Sequence, residues 1–255
     1  MNKSIQHSTL KLYADDSLLY KPILCSSDSI QFQGDLDNLV DWASNSQMRF
    51  NVKKCEQMSI KRAANTNANT QYLMSGEPLS DTDQVEYLGV TIDNRLSFDH
   101  HVKKICSKAN RSLHMLMRCL KKAKPKTRAT AYKTVCRPIL EFATHTWSPH
   151  KVKLIKQIEG INRKAFRWVF HLKKRDHISD LMLFHGWDTL EERRKAADLK
   201  MYHRMLSGNA ALDTNKFTLH FSKEHDTRHG ATKGTISTNV AKFSYRHRIH
   251  RYLQK

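Results

Sequence analysis

The sequence predicts an α+β fold, and three observations point to that class. In the first third, short runs of apolar residues at 9–23 and 84–92 alternate with polar ones, as in half-buried β-strands. From Phe98 onward, apolar residues recur every three or four positions, which is the period of an amphipathic helix. Glycine and proline number only 8 and 5 in 255 residues, which argues against a collagen-like or Gly/Ser-linker chain.

The first predicted elements are a β-hairpin and a helix. Residues 9–23, TLKLYADDSLLYKPI, form two short alternating runs around Ala14-Asp15-Asp16-Ser17, which places two acids at the hairpin tip. Residues 29–43 predict a helix, because they carry a loose apolar stripe at helical spacing.

Three further segments complete the first part. The alternation in 49–61, RFNVKKCEQMSIK, predicts a strand. The Asn-rich stretch 62–70 predicts a loop, since it shows no periodicity. Residues 84–92, QVEYLGVTI, predict β-structure with a bend or a close backbone approach at Gly89.

The rest of the chain predicts helices. The expected helices cover 98–120, 127–146, 154–168, 179–185 and 189–206. Pro138 must kink or split the second of them, because proline removes a donor and clashes with the preceding turn. Thr189-Leu190-Glu191-Glu192 spells a capping box at the start of the last helix. Residues 208–255 are polar and rich in His and Arg, which predicts a weakly ordered basic tail.

Charge changes where the periodicity changes. The chain carries a formal charge of +20, but residues 1–95 sum to −3 and residues 96–255 to +23. We therefore expect three regions: a mixed α and β domain over 1–95, a basic helical domain over 96–207 and the tail. A strongly basic module binds a nucleic-acid backbone or an anionic membrane surface, and the charge favours nucleic acid here.

Targeting and redox signals are few. No apolar run approaches 18 residues, and the N-terminus lacks the apolar block of a signal peptide. The five cysteines follow no CxxC pattern, which favours reduced thiols over a disulfide framework. These features predict an intracellular protein without a membrane partner, and they do not distinguish nucleus from cytoplasm.

Asp15 and Asp16 are the sharpest candidate site. Two adjacent carboxylates repel each other unless a cation lies between them, and oxygen ligands suit Mg²⁺. Polymerases and nucleases use such carboxylates to hold two metal ions, which activate the attacking oxygen and stabilise the leaving one. The alternative is an acidic turn with no ligand, because Asp also favours turns for its own hydrogen bonding.

The surrounding residues resemble a known family. KLYADDSLLY resembles the catalytic hairpin of reverse transcriptases, with the Tyr-x-Asp-Asp core at Tyr13-Ala14-Asp15-Asp16. Further phrases follow in the order found in the reverse transcriptases of non-LTR (LINE-like, Jockey-type) retrotransposons. These phrases are RFNVKKC at 49–55, EYLGV at 86–90, RPILEF at 137–142, TWSP at 146–149, the run at 158–168 that begins IEGINRKA, and GWDTLEERR at 186–194. The resemblance covers about residues 8–207.

The resemblance implies a partial polymerase palm over 1–95, followed by a helical, basic, thumb-like region. It implies RNA-directed DNA synthesis with two Mg²⁺ ions, an RNA template, a DNA primer and deoxynucleoside triphosphates. By resemblance, Asp15 and Asp16 hold the metals and Lys54 protonates the leaving pyrophosphate. The positions expected beside the primer end and nucleotide are Tyr13, Ala14, Tyr87, Leu88 and Gly89.

One departure from the family pattern concerns catalysis. The family places a further metal-binding Asp on a strand before the hairpin, and only twelve residues precede Tyr13. We therefore expect a truncated chain with an incomplete metal cage and an uncovered sheet edge, which does not polymerise alone.

A second candidate site lies on the first basic helix. Lys103, Lys104, Lys108 and Arg111 share roughly one helical face, which suits the phosphates of a primer–template duplex. The alternative is an ordinary solvated face. Three further hypotheses for the whole chain stay open here: a binding module without chemistry, a metal-dependent nuclease that uses the same two Asp, and a chain that forms no stable protein.

Overall fold

A computed structural model describes residues 4–60 and 70–209, which combine helices with short strands. Most of the predicted Asn-rich loop and nearly all of the predicted tail lie outside these residues. The chain divides into two compact units, residues 1–95 and residues 96–255, and each is considered by itself. In the part of the chain that the structure describes, no helix is long and apolar enough to cross a membrane.

The first unit contains one long helix and short strands in pairs. The helix α1 spans Ser26–Asn45, and the strands are β1 Thr9–Tyr13, β2 Asp16–Tyr20, β3 Glu56–Gln57, β4 Leu73–Met74, β5 Glu77–Pro78, β6 Ser80–Asp81, β7 Gln84–Tyr87 and β8 Val90–Asp93. The pairs β1–β2, β4–β5 and β7–β8 are antiparallel hairpins, while β3–β6 is parallel. Within the described residues each sheet has two strands, so the β1–β2 hairpin has no third strand at either edge.

The strand predicted over 49–61 is wrong for most of its described length. Val52–Lys54 form a 3₁₀ turn and only Glu56–Gln57 pair as a strand. The turn is closed by the Cys55 N–H, which donates to the Val52 carbonyl at 3.0 Å. The turn brings Phe50, Val52 and Cys55 to the same side of the chain, although they are spaced by two and then three residues. All three side chains pack against a small hydrophobic core in this unit.

This core is built on one face of α1. Leu36 from the helix packs with Met74 and Leu79, and partly buried neighbours such as Phe32 and Tyr72 surround them. The apolar spacing of α1 accounts for this buried face.

Asp35 ties the residues before β1 to the helix. Its side chain is 1% exposed, and its two carboxylate oxygens accept from the Gln6 and His7 N–H groups at 2.9 and 3.0 Å. Burial opposes ionisation of Asp35, but hydrogen bonds from Gln6, Ser8 and His7 together outweigh it and lower its pKa. The ionised carboxylate therefore holds the approach to the hairpin in place.

The lowered pKa predicts an acid-sensitive first unit. The contribution of Asp35 to folding is complete above the pKa of the carboxyl in the unfolded chain, about 3.9, and is lost as the pH falls through the lower pKa of the folded state. We expect Asp35→Asn to reduce the loss of stability between pH 7 and pH 3, measured by urea unfolding at each pH. Asp41→Asn, an exposed position on the same helix, is the control. An unchanged pH dependence in Asp35→Asn would contradict this role.

The second unit is helical in its described residues. Its helices are α2 Asp99–Cys119, α3 Pro125–Ala131, α4 Arg137–Glu141, α5 Thr144–Trp147, α6 Val152–Val169, α7 Ser179–Phe184 and α8 Leu190–Leu206. The predicted helix over 127–146 is distorted next to Pro138, and it is divided later, where Phe142 and Ala143 separate α4 from α5. A π-helical turn at Tyr132–Cys136 precedes the proline, and the Arg137 N–H there donates to the Tyr132 carbonyl, five residues back. The wider turn accommodates the ring and the missing N–H of Pro138.

Asn162 is the central polar group of this unit. It is 1% exposed, and its carboxamide oxygen accepts from the Tyr132 hydroxyl at 2.9 Å and the Trp187 indole N–H at 2.8 Å. Its amide nitrogen donates to Glu159 Oε1 at 2.8 Å and the Asp188 carbonyl at 3.2 Å. Both donors and both acceptor sites of the carboxamide are thus used, which fixes its orientation.

The helices α2 and α6 are joined at both ends. At one end, Lys151, just before α6, donates to both carboxylate oxygens of Asp99 at 2.9 and 2.7 Å. At the other, the buried Arg128 guanidinium donates to the Leu120 carbonyl after α2 and the Trp168 carbonyl in α6, each at 3.1 Å. Because the N-terminal ends of α2 and α6 are joined to each other, and likewise their C-terminal ends, the two helices run parallel.

The Asn162 network predicts a large and specific stability cost. Asn162→Leu leaves two buried donors, the Tyr132 hydroxyl and the Trp187 indole N–H, without an acceptor. We expect a loss on the order of 3 kcal/mol in the free energy of unfolding, measured by urea titration with tryptophan fluorescence. Gln157→Leu, an exposed position on the same helix, is the control, and an equal effect of both changes would refute the assignment.

Candidate functional site

The acidic residues Asp15 and Asp16 lie at the tip of the β1–β2 hairpin. The register pairs Tyr13 with Asp16, so Ala14 and Asp15 form a two-residue loop. Tyr13, Ala14, Asp15 and Asp16 are all exposed, with Tyr13 at 65%. Ala14 has φ of 51°, in the left-handed region that a residue with a Cβ rarely adopts. The two carboxylates therefore project to solvent from a strained turn.

These carboxylates do not form a complete metal centre with the other described residues. Across residues 4–60 and 70–209, no group of three or more His, Cys, Asp or Glu side chains is placed to hold a metal ion. Two carboxylates can contribute to a Mg²⁺ site, but Mg²⁺ needs near-octahedral oxygen coordination. Lys54 is exposed at the end of the 3₁₀ turn.

The other predicted polymerase residues of this unit form a second hairpin tip. Tyr87 pairs with Val90, so Leu88 and Gly89 form the two-residue loop between β7 and β8. Their φ values are 47° and 78°. Two positive values match the type I′ turn that suits tight hairpins, and Gly89 supplies the bend that the sequence indicated. Leu88 carries the strain, since only glycine and a few polar residues adopt this region readily.

In the second unit, the predicted basic face of α2 is exposed along its length. Lys103, Lys104, Lys108 and Arg111 all lie on the solvent side. The opposite side is buried by apolar residues at helical spacing, including Val102, Ile105, Ala109, Leu113 and Leu116. The apolar stripe therefore orients the helix and turns its cations outward.

Little negative charge is available to neutralise this face. Residues 96–209 contain 26 Lys and Arg but only 9 Asp and Glu. Each acidic side chain has another partner: Lys151 for Asp99, Arg193 for Glu141 and Asp188, Asn162 for Glu159, the main-chain N–H of Lys173 for Asp176, His177 for Asp180, Lys195 for Glu191, Thr189 for Glu192 and His145 for Asp198. Lys103, Lys108 and Arg111 use none of these carboxylates, so their charge is open to an external anion.

A groove that the sequence did not predict borders this face. It has a volume of about 700 Å³ and lies between α2 and α6. Lys103, Arg111 and Arg118 line it from α2, and Gln157 lines it from α6. The spacing of Lys103, Arg111 and Arg118 is a sequence signal that these side chains share one face of α2. No such signal connects them with Gln157, which lies far away in the sequence.

Comparisons with known proteins relate the chain as a whole to mobile-element polymerases. The chain is 25% identical over 180 residues to the RNA-directed DNA polymerase from mobile element jockey of Drosophila melanogaster, a match that covers 66% of this chain and 19% of that protein. It is 24% identical over 162 residues to the probable RNA-directed DNA polymerase from transposon BS of the same organism, covering 62% of this chain and 18% of that protein. The predicted resemblance to non-LTR retrotransposon reverse transcriptases is confirmed.

The other comparisons gave one further relative and no matching family model or solved structure. An uncharacterized Caenorhabditis elegans protein is 23% identical over 128 residues, which cover 49% of this chain and 65% of that protein. No family model matches the chain, and no solved structure matches it. The chain spans about a fifth of the length of the two polymerases.

The strained hairpin tips predict stabilising glycine substitutions. Ala14→Gly and Leu88→Gly remove the steric cost of a positive φ, so each is expected to raise the free energy of unfolding by about 1 kcal/mol. Chemical denaturation of the purified chain measures the change. Ser17→Gly in β2, which adds chain freedom without relieving strain, is expected to destabilise. A loss of stability in all three variants would contradict the assigned turn geometry.

Proposed function

We propose that the chain is part of an RNA-directed DNA polymerase of a non-LTR mobile element and serves to hold its nucleic acid. The observation that carries this proposal is the similarity to two mobile-element polymerases over about two thirds of the chain. The largely unneutralised basic face of α2 supports it, since phosphate contacts supply most of the affinity of proteins that bind without sequence specificity. The proposed ligands are the backbones of an RNA template and a DNA primer.

Within this proposal, the first unit contributes the polymerase palm. Asp15 and Asp16 bind Mg²⁺, Tyr13 and Ala14 lie next to the primer end, and Lys54 acts as the acid toward the leaving pyrophosphate. The second hairpin tip, Tyr87-Leu88-Gly89, contacts the primer. The exposure of residues 13–16 at the first tip and of Leu88 and Gly89 at the second supports these roles, because these residues are accessible to a bound duplex.

We further propose that these 255 residues do not polymerise by themselves. Two carboxylates need a third group to fix the metal ions, and the described residues offer none in reach. The resemblance puts that group on a strand before the hairpin. Binding without chemistry is therefore the activity expected of the chain alone, and this is also the second candidate function: a non-catalytic binding module.

Salt dependence and a double substitution test this proposal. Anisotropy with a labelled RNA–DNA primer–template is expected to show affinity falling about 100-fold between roughly 50 and 200 mM salt, as four phosphate contacts require. Asp15→Asn combined with Asp16→Asn is expected to preserve or strengthen binding, because it removes negative charge. Loss of binding in the double variant would contradict separate binding and catalytic surfaces.

The same samples distinguish chemistry from binding. With Mg²⁺ and deoxynucleoside triphosphates, we expect neither primer extension nor cleavage by the chain alone. Extension that disappears in the double variant would show a complete polymerase site and overturn the proposed inactivity. Cleavage that disappears in the same variant would instead indicate a metal-dependent nuclease.

A further inference from the structure

The groove between α2 and α6 has the composition of an anion site. Its α2 wall carries Lys103, Arg111 and Arg118, and no carboxylate lines it in the part of the chain that the structure describes. Lys164 of α6 adds a fourth cation at its border, where its ammonium donates to His114 Nε2 at 2.7 Å. A volume of about 700 Å³ lies within the range of sites for small ligands, about 300–1,000 Å³.

The groove also offers neutral hydrogen-bonding groups beside the cations. Ser107 and Asn110 line it from α2, and Gln157 lines it from α6. The Ser107 hydroxyl and the Gln157 carboxamide belong to exposed residues and can accept hydrogen bonds from a ligand beside the cations. A nucleotide suits both kinds of group, since its phosphate is anionic and its sugar and base carry O–H or N–H groups.

The walls of the groove are held in place before any ligand binds. The pair Asp99–Lys151 joins the starts of the two helices, and Arg128 joins their ends. The Lys164–His114 hydrogen bond crosses between them. A fixed groove reduces the entropy lost on binding, which favours a defined contact over diffuse attraction.

We propose that this groove, rather than the whole basic face of α2, binds one strand of nucleic acid. The inference rests on the proposed function and divides its predicted contact residues into two sets. Lys103 and Arg111 line the groove together with Arg118, whereas Lys104 and Lys108 lie on the outer flank of the helix. A phosphate of the strand contacts the groove cations, and Gln157 contacts its sugar or base.

Two double variants with equal loss of charge test the division. Lys103→Gln with Arg111→Gln removes two groove cations, and Lys104→Gln with Lys108→Gln removes two flank cations from the same helix. With labelled single strands of RNA and of DNA of equal length at about 100 mM salt, we expect at least a tenfold loss of affinity for the groove pair. The flank pair is expected to lose less than threefold. Circular dichroism and thermal melting confirm that each variant is folded.

A neutral variant tests the second wall. Gln157→Ala changes no charge and preserves helix propensity, and we expect a loss of about threefold for strands that use this wall. Comparing the loss of affinity for RNA with that for DNA shows whether Gln157 contacts the sugar, because a contact to the 2′-hydroxyl makes the loss larger for RNA. Unchanged affinity for both strands would exclude α6 from the site.

The remaining outcomes distinguish a failure of the proposed groove from a failure of the proposed nucleic-acid binding itself. Equal losses for the groove and flank pairs would overturn the groove and leave nucleic-acid binding by charge. Absence of binding by the unchanged chain at about 50 mM salt would overturn both. Stronger binding to phosphatidylserine vesicles than to oligonucleotides, with the same loss in the groove pair, would assign the groove to a lipid headgroup and contradict the proposal.

Discussion

The packing of the second unit depends on the complete hydrogen bonding of one buried amide. Asn162 joins the π-helical turn at Tyr132, its own helix and the segment before α8 through Trp187 and Asp188. The same network orients Glu159, whose other oxygen accepts from the Leu190 N–H at 2.9 Å and so satisfies a free donor at the start of α8. Because every polar atom is used, small displacements of α6 break several bonds together.

That constraint has a consequence for binding. The helix that carries Asn162 on its buried side presents Gln157 and Lys164 toward α2. Fixing α6 from within therefore fixes one wall of the groove, while the Asp99 and Arg128 contacts fix its distance from the other wall. The residues on which the polymerase resemblance rests in this unit, including Glu159, Asn162 and Trp187, thus act here as scaffold. In the proposed complex, the basic side chains of α2 contact the ligand.

The sequence predicted the helices well and the small first unit less well, for physical reasons. The apolar stripe of α2, from Val102 to Leu116, predicts both the helix and its buried face from nearby residues alone. In the same way, Pro138 by itself predicts a distortion of its helix. The strand prediction for 49–61 was wrong because the apolar alternation at Phe50 and Val52 is compatible with a 3₁₀ turn as well as with a strand. Here the Gln57 side chain, through hydrogen bonds to Tyr72 and Thr70, takes the place of a strand neighbour. The groove was beyond prediction, since Arg111 and Gln157 meet only after folding.

Hydrogen–deuterium exchange of the full chain, with and without an RNA–DNA primer–template, tests the central claim most directly. The claim is that nucleic acid binds between α2 and α6, on a surface that does not need the acidic hairpin. We expect slower amide exchange on binding in Asp99–Cys119 and Val152–Val169, with the same protection when Asp15 and Asp16 are both replaced by Asn. Protection confined to Thr9–Tyr20, or lost with those two carboxylates, would contradict it.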